Sequence, residues 1–461
     1  MARAAHDWLE DRRVLVFGLA RSGQAAAELA RTRGARVVGC DEGAGARPVL
    51  EGDWAAKWLE RAAAAATSDL LDGVDLFVLS PGIPTTHALV SGAAAAGILV
   101  ISEIELAYRC SAAPVVAITG SKGKSTTTAL TGALLAAQGK RVFVAGNIGL
   151  PYCAVAEQAG PEDWVVLELS SFQLETVDTF HARVAVLLTI SPDHLDRYTG
   201  MDAYAAAKMR IGRHQSRQDV LVVDPHDRFG VALGRSTTAQ VLGFGAGWNG
   251  TGVWREGADL VWHSPGGSEV LAQVEDVPLL GAHNVRNALA ALAVVRALGP
   301  VDDAVRSALR AFRALPYRMQ PAGEIRRIRF VNDSKGTTVD AVRAGIEGLD
   351  GTLLLALGGR NKDLDFSGLR GSMGHVRTVF VYGEAAPEIE AALDGVAHLV
   401  RVRDLDELVA QALDLGRPGD TLLFSPGCTS FDMFRNAEHR GAEFDRAVER
   451  ARTRLEGTVR A

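Results

Sequence analysis

Residues 114–128 read PVVAITGSKGKSTTT, a short apolar run followed by a turn rich in glycine, lysine and hydroxyl side chains. The run Val115 to Ile118 predicts a buried strand, and the segment Ser125 to Gln138 predicts the helix that follows. Gly120 and Gly123 lie in the turn between them. Backbone N–H groups at the start of a helix bind phosphate when glycines allow a close approach. The stretch therefore predicts a phosphate-binding loop between a strand and a helix.

The loop departs from the full pattern GxxxxGK[ST], because Ile118 stands where that pattern requires its first glycine. The shorter pattern TGxxGKST remains, in which Lys124 adds a cation to the phosphate site and Ser125 offers a hydroxyl to magnesium. A glycine-rich turn without a ligand is the alternative. Because the lysine and the serine both follow Gly123 in register, we favour ATP binding. The predicted ATP loop consists of Gly120, Ser121, Lys122, Gly123, Lys124, Ser125 and Thr126.

The length and composition limit the class of protein. A chain of 461 residues is long enough for about three domains. Its 49 Lys and Arg residues against 55 Asp and Glu residues give a net charge of −6, without long charged runs, which argues against nucleic acid or an acidic membrane as a partner. The four cysteines form no CxxC motif, and the amino terminus shows no apolar signal segment. We expect a cytoplasmic protein without structural zinc, whose cysteines are core or incidental thiols.

The first 110 residues or so predict a Rossmann-like unit. A strand predicted over Arg13 to Gly18 leads through a turn into a helix over 24–33, and a second strand ends at Asp41, where an acidic side chain can accept hydrogen bonds from a ribose or a base. Ala20 occupies the middle glycine of the GxGxxG fingerprint, so plain helix–strand packing remains an alternative. A loop with Gly82 follows a later strand, at the edge where such sheets bind ligands.

Polar side chains follow three successive predicted strands after the phosphate loop, at Asn147, Glu168 and His194. The ends of parallel strands share one edge of a sheet, where a carboxylate and an imidazole can ligate a divalent metal beside a triphosphate. By itself His194 is more typical of a capping or packing residue, and a helical lysine such as Lys208 is usually a solvated surface charge. The agreement of Glu168 with Lys124 favours the metal site.

Two further regions carry polar clusters. Short strands between 221 and 278 predict a small β layer, and the helix after it begins with Asn284 and Asn287, which either read a purine edge or a phosphate or cap the helix. Residues beyond about 313 predict another doubly wound sheet. Lysines and hydroxyls follow its strands at 332–338, 358–362 and 425–430, and their convergence suits a small dicarboxylate or an amino-acid carboxylate.

Taken together, segments along essentially the whole chain resemble the Mur ligase family: GSKGKST, GNIGLP, ELSSFQLE, DHLDRY, AAKMRI, GAHNVRNALAAL, NDSKGTT, LGGRNKDLDF and SPGCTSFDMFRNAEHRG. The NDSK segment resembles the glutamate-adding branch rather than its sisters, and the N-terminal unit distinguishes the chain from folylpolyglutamate synthase. The resemblance implies an α/β fold of three domains. These are a Rossmann-like UDP-binding domain over 1–112, a P-loop ATPase-type domain with a parallel sheet and a small β layer over 113–315, and a Rossmann-like glutamate-binding domain over 316–461.

The resemblance also implies the chemistry. It indicates an ADP-forming ligase that adds D-glutamate to UDP-N-acetylmuramoyl-L-alanine through an acyl phosphate, in the cytoplasmic synthesis of peptidoglycan precursors on which cell shape and division depend. The implied cofactors are ATP, two magnesium ions and a carbamate on Lys208. The implied partners are small-molecule substrates, with no nucleic acid or membrane and a monomeric chain. Addition of L-glutamate is the alternative, because Phe431 and Ala437 depart from the family pattern beside the amino-acid pocket. A UDP-sugar-binding relative without activity and a nicotinamide-linked oxidoreductase are the alternatives from other classes.

Site residues follow from the same resemblance. The residues implied in catalysis are Lys124, Glu168, His194 and Lys208. The residues implied in ATP binding beyond the phosphate loop are Asn284, Asn287, Arg318 and Asp333. The UDP-linked substrate is expected at Ala20, Arg21, Asp41, Glu42, Gly82 and Asn147. Glutamate is expected at Thr337, Lys362, Ser430 and Phe431. The implied metal ligands are Ser125, Glu168, His194 and the carbamate of Lys208.

Overall fold

The computed structural model describes residues 8–41, 55–58, 68–193, 197–245, 250–362 and 364–459. The chain forms two compact units, one of Met1–Asp276 with Arg286–Ala311 and the other of Val277–Val285 with Phe312–Ala461. The described residues contain three sheets, two in the first unit and one in the second.

The first sheet belongs to the N-terminal part of the chain. Its strands are β1 (Arg13–Phe17), β2 (Arg36–Asp41), β3 (Ala55–Trp58), β4 (Leu76–Leu79) and β5 (Leu99–Ser102). The helices of this part are α1 (Arg21–Thr32), α2 (Ser68–Leu71), α3 (Ala88–Ala95) and α4 (Glu103–Cys110). The described strands are all parallel, in the order β3-β2-β1-β4-β5. The order reverses between β1 and β4, so the loops after these strands border the crevice where doubly wound sheets bind ligands.

The second sheet is the largest. Its strands are β6 (Val115–Thr119), β7 (Val142–Gly146), β8 (Trp164–Glu168), β9 (Val184–Leu187), β10 (Val220–Val223), β11 (Gln240–Gly245), β12 (Gly252–Glu256), β13 (Asp259–Ser264) and β14 (Gly267–Gln273). The helices along this stretch are α5 (Lys124–Ala137), α6 (Tyr152–Val155), α7 (Ser171–Leu174), α8 (Met201–Met209), α9 (Arg228–Ser236), α10 (Ala282–Leu298) and α11 (Asp303–Ala311). Among the described strands the order is β14-β13-β12-β11-β10-β9-β6-β8-β7. The apolar strand β6 is therefore central, between β8 and β9.

The small β layer predicted between 221 and 278 is part of this same sheet. Strand β12 pairs in parallel with β11, and β13 and β14 continue it as an antiparallel meander. Trp254 and Trp262 are buried, and Trp254 stacks on His263. The sequence predicts a small β layer, whereas these strands extend the large sheet. The two differ because strand patterns indicate pairing in a hairpin but not whether the first strand also bonds to a neighbouring sheet.

The third sheet forms the core of the second unit. Its strands are β15 (Gln320–Ile325), β16 (Ile328–Asn332), β17 (Leu353–Gly358), β18 (Val376–Tyr382), β19 (His398–Arg401) and β20 (Thr421–Gly427). Its helices are α12 (Val339–Glu347), α13 (Ala386–Leu393), α14 (Leu405–Leu415) and α15 (Ala437–Val459). The described order is β15-β16-β20-β17-β18-β19, parallel except for β15. Strands β16, β20 and β17 are neighbours, so the polar loops that follow them meet at one edge.

Two smaller findings complete the fold. The four cysteines are free and buried, which agrees with their interpretation as core thiols. No helix in the described ranges is long and apolar enough to cross a membrane.

Candidate active site

The phosphate loop connects β6 to α5 at the centre of the second sheet. Gly123 is the N-cap of α5 and has a φ of 81°, in the left-handed region that favours glycine. A Cβ at this position would lie 2.2 Å from Oδ1 of Asn287, so a larger residue would require the Asn287 side chain or the loop to shift. Ser125 lies in the first turn of α5 and is buried. The start of α5 is therefore shaped as the sequence predicts for an anion site.

Two lysines converge on one carbonyl group of this loop. Nζ of Lys124 and Nζ of Lys208 each donate to the carbonyl oxygen of Gly120, both at 2.9 Å. Lys208 is only 1% exposed. Burial and, next, the charge of Lys124 lower the pKa of Lys208 well below its usual range, although Asp193 and Glu168 act in the opposite direction. The structure therefore excludes the alternative of a solvated surface charge at Lys208, because α8 places this side chain against the phosphate loop.

A buried carboxylate lies at the end of the neighbouring strand. Glu168 ends β8 and is 2% exposed, and its Oε1 accepts a hydrogen bond from Nδ2 of Asn147 at 2.9 Å. Its Oε2 is buried and has no hydrogen-bond partner among the described residues. A buried carboxylate oxygen without a donor is costly unless a cation binds it. This oxygen and the Ser125 hydroxyl are of the hard type that magnesium prefers.

The described ranges contain no group of three His, Cys, Asp or Glu side chains that could hold a metal. Magnesium beside a nucleotide usually takes only one or two carboxylates, with phosphate and water oxygens as its other ligands, so Glu168 and Ser125 fit such a site. His194, the predicted imidazole ligand, lies outside the described residues.

The residues predicted to bind the UDP-linked substrate follow strands of the first two sheets. Ala20 is the N-cap of α1, and the carboxylate of Asp41 accepts a hydrogen bond from the backbone N–H of Leu19 at 2.5 Å. Asp41 thereby joins the end of β2 to the loop after β1. Arg21, Gly82 and Asn147 are exposed, and Glu42 lies outside the described residues.

Arg197 belongs to the motif DHLDRY, and the sequence alone indicates no role for it. Its guanidinium donates to the carbonyl oxygens of Pro81 and Ile83, both at 3.1 Å, and to the carboxylate of Glu175 at 3.0 Å. It therefore holds the loop that contains Gly82. A motif indicates that an arginine is present, but nothing in its spacing indicates contacts with a loop more than a hundred residues earlier.

Asn284 and Asn287 lie in the first turns of α10, as predicted. Within the second compact unit, Nδ2 of Asn284 donates to the carbonyl oxygen of Leu280 at 2.7 Å. Within the first unit, Oδ1 of Asn287 lies against Gly123 of the phosphate loop. The structure therefore brings Asn287 to the predicted ATP loop.

The second unit presents a strained segment around Arg318. Tyr317 and Met319 on either side have φ of 62° and 46°, a left-handed conformation that non-glycine residues rarely adopt. Asp333 stabilises this segment, because its carboxylate accepts hydrogen bonds from the backbone N–H of Met319 at 3.2 Å and from the Ser425 hydroxyl at 2.7 Å. Backbone strain that the surroundings maintain is common at functional sites.

The residues predicted to bind glutamate follow the three neighbouring strands. Thr337 follows β16, Lys362 follows β17, and Ser430 and Phe431 follow β20. Ser430 is buried, whereas Phe431 is 62% exposed and Lys362 is exposed. The fold therefore brings these residues to one edge of the third sheet, as predicted.

Two family models match the chain. Residues 118–295 match the Mur ligase middle domain, and residues 317–428 match the glutamate ligase domain of Mur ligases. Curated relatives extend over nearly the whole length. The UDP-N-acetylmuramoylalanine–D-glutamate ligase of Anaeromyxobacter dehalogenans is 40% identical over 460 residues, which cover 96% of this chain and 99% of the relative. That of Acidobacterium capsulatum is 39% identical over 447 residues, covering 95% and 96%.

Solved structures of Mur ligases share the fold. UDP-N-acetylmuramate–alanine ligase from Thermotoga maritima gives a TM-score of 0.59 at 18% identity and covers 96% of this chain and 99% of its own. The MurF ligase of the same organism, in complex with ADP, gives 0.59 at 17% identity with the same coverage. From the relatives near 40% identity, this chain belongs to the Mur ligase family, and within it to the UDP-N-acetylmuramoylalanine–D-glutamate ligases.

Proposed function

We propose that this chain forms the amide bond between the L-alanine of UDP-N-acetylmuramoyl-L-alanine and D-glutamate at the expense of ATP, in the cytoplasmic synthesis of peptidoglycan precursors. One observation carries the proposal. Lys124, Lys208 and Glu168 surround a glycine-dependent phosphate loop, in a chain related along nearly its whole length to ligases of that name. The arrangement supports the use of ATP, because it places Lys124 and a cation-binding carboxylate at the predicted phosphate site, and the relatives support the reaction class.

The chemistry has two steps. An oxygen of the alanine carboxylate attacks the γ-phosphorus of ATP, the bond to the β-phosphate oxygen breaks, and ADP leaves. The nitrogen of glutamate then attacks the carbonyl carbon of the acyl phosphate, loses a proton, and displaces inorganic phosphate. Lys124 and the N–H groups at the start of α5 bind the phosphate oxygens, which reduces the repulsion between two anionic reactants.

Glu168 and Ser125 would hold magnesium, together with the predicted ligand His194. When bound, magnesium neutralises charge on the phosphate oxygens. The unpartnered Oε2 of Glu168 supports this assignment, because it is a buried acceptor next to a predicted phosphate site.

Lys208 is the proposed site of the carbamate. Carbamylation joins a neutral amine nitrogen to the carbon of CO2 and releases a proton, so it requires an unprotonated lysine. Burial and the neighbouring Lys124 both favour that form. The product is an anion beside Lys124, so it would be attracted to that cation and would offer oxygens to a second magnesium ion.

The remaining assignments are also proposals. We assign the UDP-linked substrate to the crevice of the first sheet and glutamate to the loops after β16, β17 and β20, because parallel sheets bind ligands at these edges. We place the domain boundaries near residues 112 and 315, where the chain passes from one sheet to the next. The chain is proposed to act as a monomer.

Phosphate release from ATP tests the function. The purified chain is supplied with UDP-N-acetylmuramoyl-L-alanine and either D-glutamate or L-glutamate, with each substrate omitted in turn, and the product is identified by mass spectrometry. We expect release only in the complete mixture with D-glutamate. Release only with L-glutamate would move the chain to the alternative branch and direct attention to Phe431 and Ala437. Silence with both amino acids would contradict a ligase function.

A further inference from the structure

Arg440 is a fully buried arginine in the first turn of α15. Its Nε donates to the hydroxyl oxygen of Ser334 at 3.0 Å, and one Nη donates to the carbonyl oxygen of the same residue at 2.8 Å. The remaining bonds reach the carbonyl oxygen of Cys428, twice at 3.1 Å, and that of Thr429 at 3.2 Å. These five bonds match the five N–H donors of a guanidinium. The side chain is therefore held in a single orientation.

These contacts join the loops to which we assign glutamate. Ser334 precedes Thr337 in the loop after β16, and Thr429 precedes Ser430 in the loop after β20. The loop after β17 is held to the same group through Thr429, whose N–H and carbonyl oxygen pair with the backbone of Arg360, both at 3.0 Å. Arg440 thus connects, directly or through one residue, every loop of the proposed glutamate pocket.

The loop after β17 is also shaped around this guanidinium. Gly359 has a φ of 124°, and a Cβ there would lie 3.1 Å from an Nη of Arg440 and 2.1 Å from the carbonyl oxygen of Thr429. Only glycine fits such a place. The segment GGRNK, residues 358–362, therefore packs against the guanidinium at Gly359, three residues before Lys362.

The position of Arg440 conflicts with two general preferences, one for the pairing of buried charges and one for the charge at the start of a helix. Every acceptor that contacts it is a neutral oxygen, and a buried cation is costly unless an anion accompanies it. It also lies in the first turn of a helix, where the helix dipole favours anions. Residues that break local rules in this way are expected at functional sites. The charges of Asp432 and Glu388 act on the same neighbour as Arg440, the Cys428 side chain, and an anionic ligand at the adjacent loops would add a further negative charge.

We propose that Arg440 is a positioning residue for the incoming amino acid, which fixes the three loops of the pocket and supplies a buried positive charge that favours a dicarboxylate. This inference rests on the proposed function. It predicts a selective effect on glutamate relative to the UDP-linked substrate, which is assigned to the first sheet, whereas Arg318 and Asp333, expected at ATP, lie in the same unit as Arg440. A residue of merely structural importance would alter stability and all three substrates together.

Steady-state kinetics of Arg440→Lys and Arg440→Ala test the proposal, with KM measured separately for D-glutamate, ATP and UDP-N-acetylmuramoyl-L-alanine. We expect the KM for D-glutamate to rise at least about tenfold in Arg440→Ala and less in Arg440→Lys, which keeps the charge but not the planar fork. The KM for UDP-N-acetylmuramoyl-L-alanine is expected to stay within about threefold of wild type. The KM for ATP is expected to rise less than that for D-glutamate, because Arg440 reaches the predicted ATP residue Asp333 only through its neighbour Ser334. Millimolar guanidinium should restore Arg440→Ala, whereas urea, which has a similar shape and no charge, should not.

Arg446→Ala is the matched control, because Arg446 lies on the same helix and forms an exposed ion pair with Glu443. It should leave all three KM values unchanged. A wild-type enzyme without glutamate-dependent phosphate release would refute the proposed function itself. With an active wild type, equal rises in all three KM values, an unchanged KM for glutamate, or equal rescue by urea would each overturn the role of Arg440. If Arg440→Ala fails to fold, Arg440→Lys still decides between a selective and a general effect.

Discussion

Replacing Gly123 by alanine perturbs the phosphate loop in two ways that the structure separates. The residue has a φ of 81°, and the left-handed conformation costs a non-glycine residue about 1–2 kcal/mol. The added Cβ would also lie 2.2 Å from Oδ1 of Asn287. An ordinary contact needs more than about 3 Å, so the loop or Asn287 must move by about 1 Å. A displacement of that size at a site of phosphoryl transfer reduces the rate by about a hundredfold.

Gly139→Ala isolates the first effect. Gly139 follows the other end of α5 with a φ of 80°, and a Cβ there would meet no atom within 4 Å. Both variants should therefore lose about 1–2 kcal/mol of stability from the same backbone strain, a fall of a few degrees in Tm. Only Gly123→Ala should lose about a hundredfold in kcat/KM for ATP, measured by phosphate release under saturating amounts of the other substrates.

The double variant Gly123→Ala with Asn287→Gly tests the cause. Removing the Asn287 side chain removes the obstructing atom, so Gly123→Ala should cost far less activity in that background than in the wild type. Additive losses would refute the steric argument. A kcat/KM for Gly123→Ala within about threefold of that for Gly139→Ala would refute it as well.

Three further predictions concern single groups. Lys124→Ala should lower turnover at least about a hundredfold, because it removes a fixed charge from the transferring phosphate, and turnover within about threefold of wild type would rule that role out. Lys208→Ala should be inactive and partly restored by short carboxylates that occupy the place of the carbamate, and failure of rescue at every concentration would argue against the carbamate. Burial raises the pKa of Glu103 from 4.5 to about 7, so the stability linked to its protonated form is complete below about pH 4.5 and is lost as the pH rises through 7. At pH 8, denaturant titration should therefore give Glu103→Gln a free energy of unfolding up to about 3 kcal/mol higher than that of wild type, with no difference near pH 4. A constant difference across this range would contradict the assignment.

Local sequence patterns account for much of the fold. The strands β1, β4, β6, β8 and β17 each contain an unbroken apolar run of at least four residues. Such runs are typical of strands in a sheet that is covered on both faces. The sequence patterns do not indicate strands β15 and β19. The first contains proline and glycine, the second is short and partly exposed, and both lie at sheet edges where apolar periodicity is weak.

Contacts between distant segments limit how much of the site can be predicted from the sequence. The glycines, Lys124 and Ser125 could be predicted because one turn of chain contains them all. The burial of Lys208 could not, since it depends on how α8 packs against a loop that lies 88 residues earlier, at Gly120. The same holds for Arg440, whose partner Ser334 is 106 residues away. In both cases the helical pattern permits a surface position, and only the packing of separate elements excludes it.

Transfer of oxygen-18 from the substrate carboxylate to phosphate tests the central claim most directly. UDP-N-acetylmuramoyl-L-alanine labelled in its alanine carboxylate is incubated with the chain, ATP and D-glutamate, and the inorganic phosphate is analysed by mass spectrometry. Attack of the carboxylate on the γ-phosphorus predicts that labelled oxygen appears in the phosphate in step with formation of the amide. Amide formation with unlabelled phosphate would contradict the acyl-phosphate route, and the absence of amide would contradict the ligase itself.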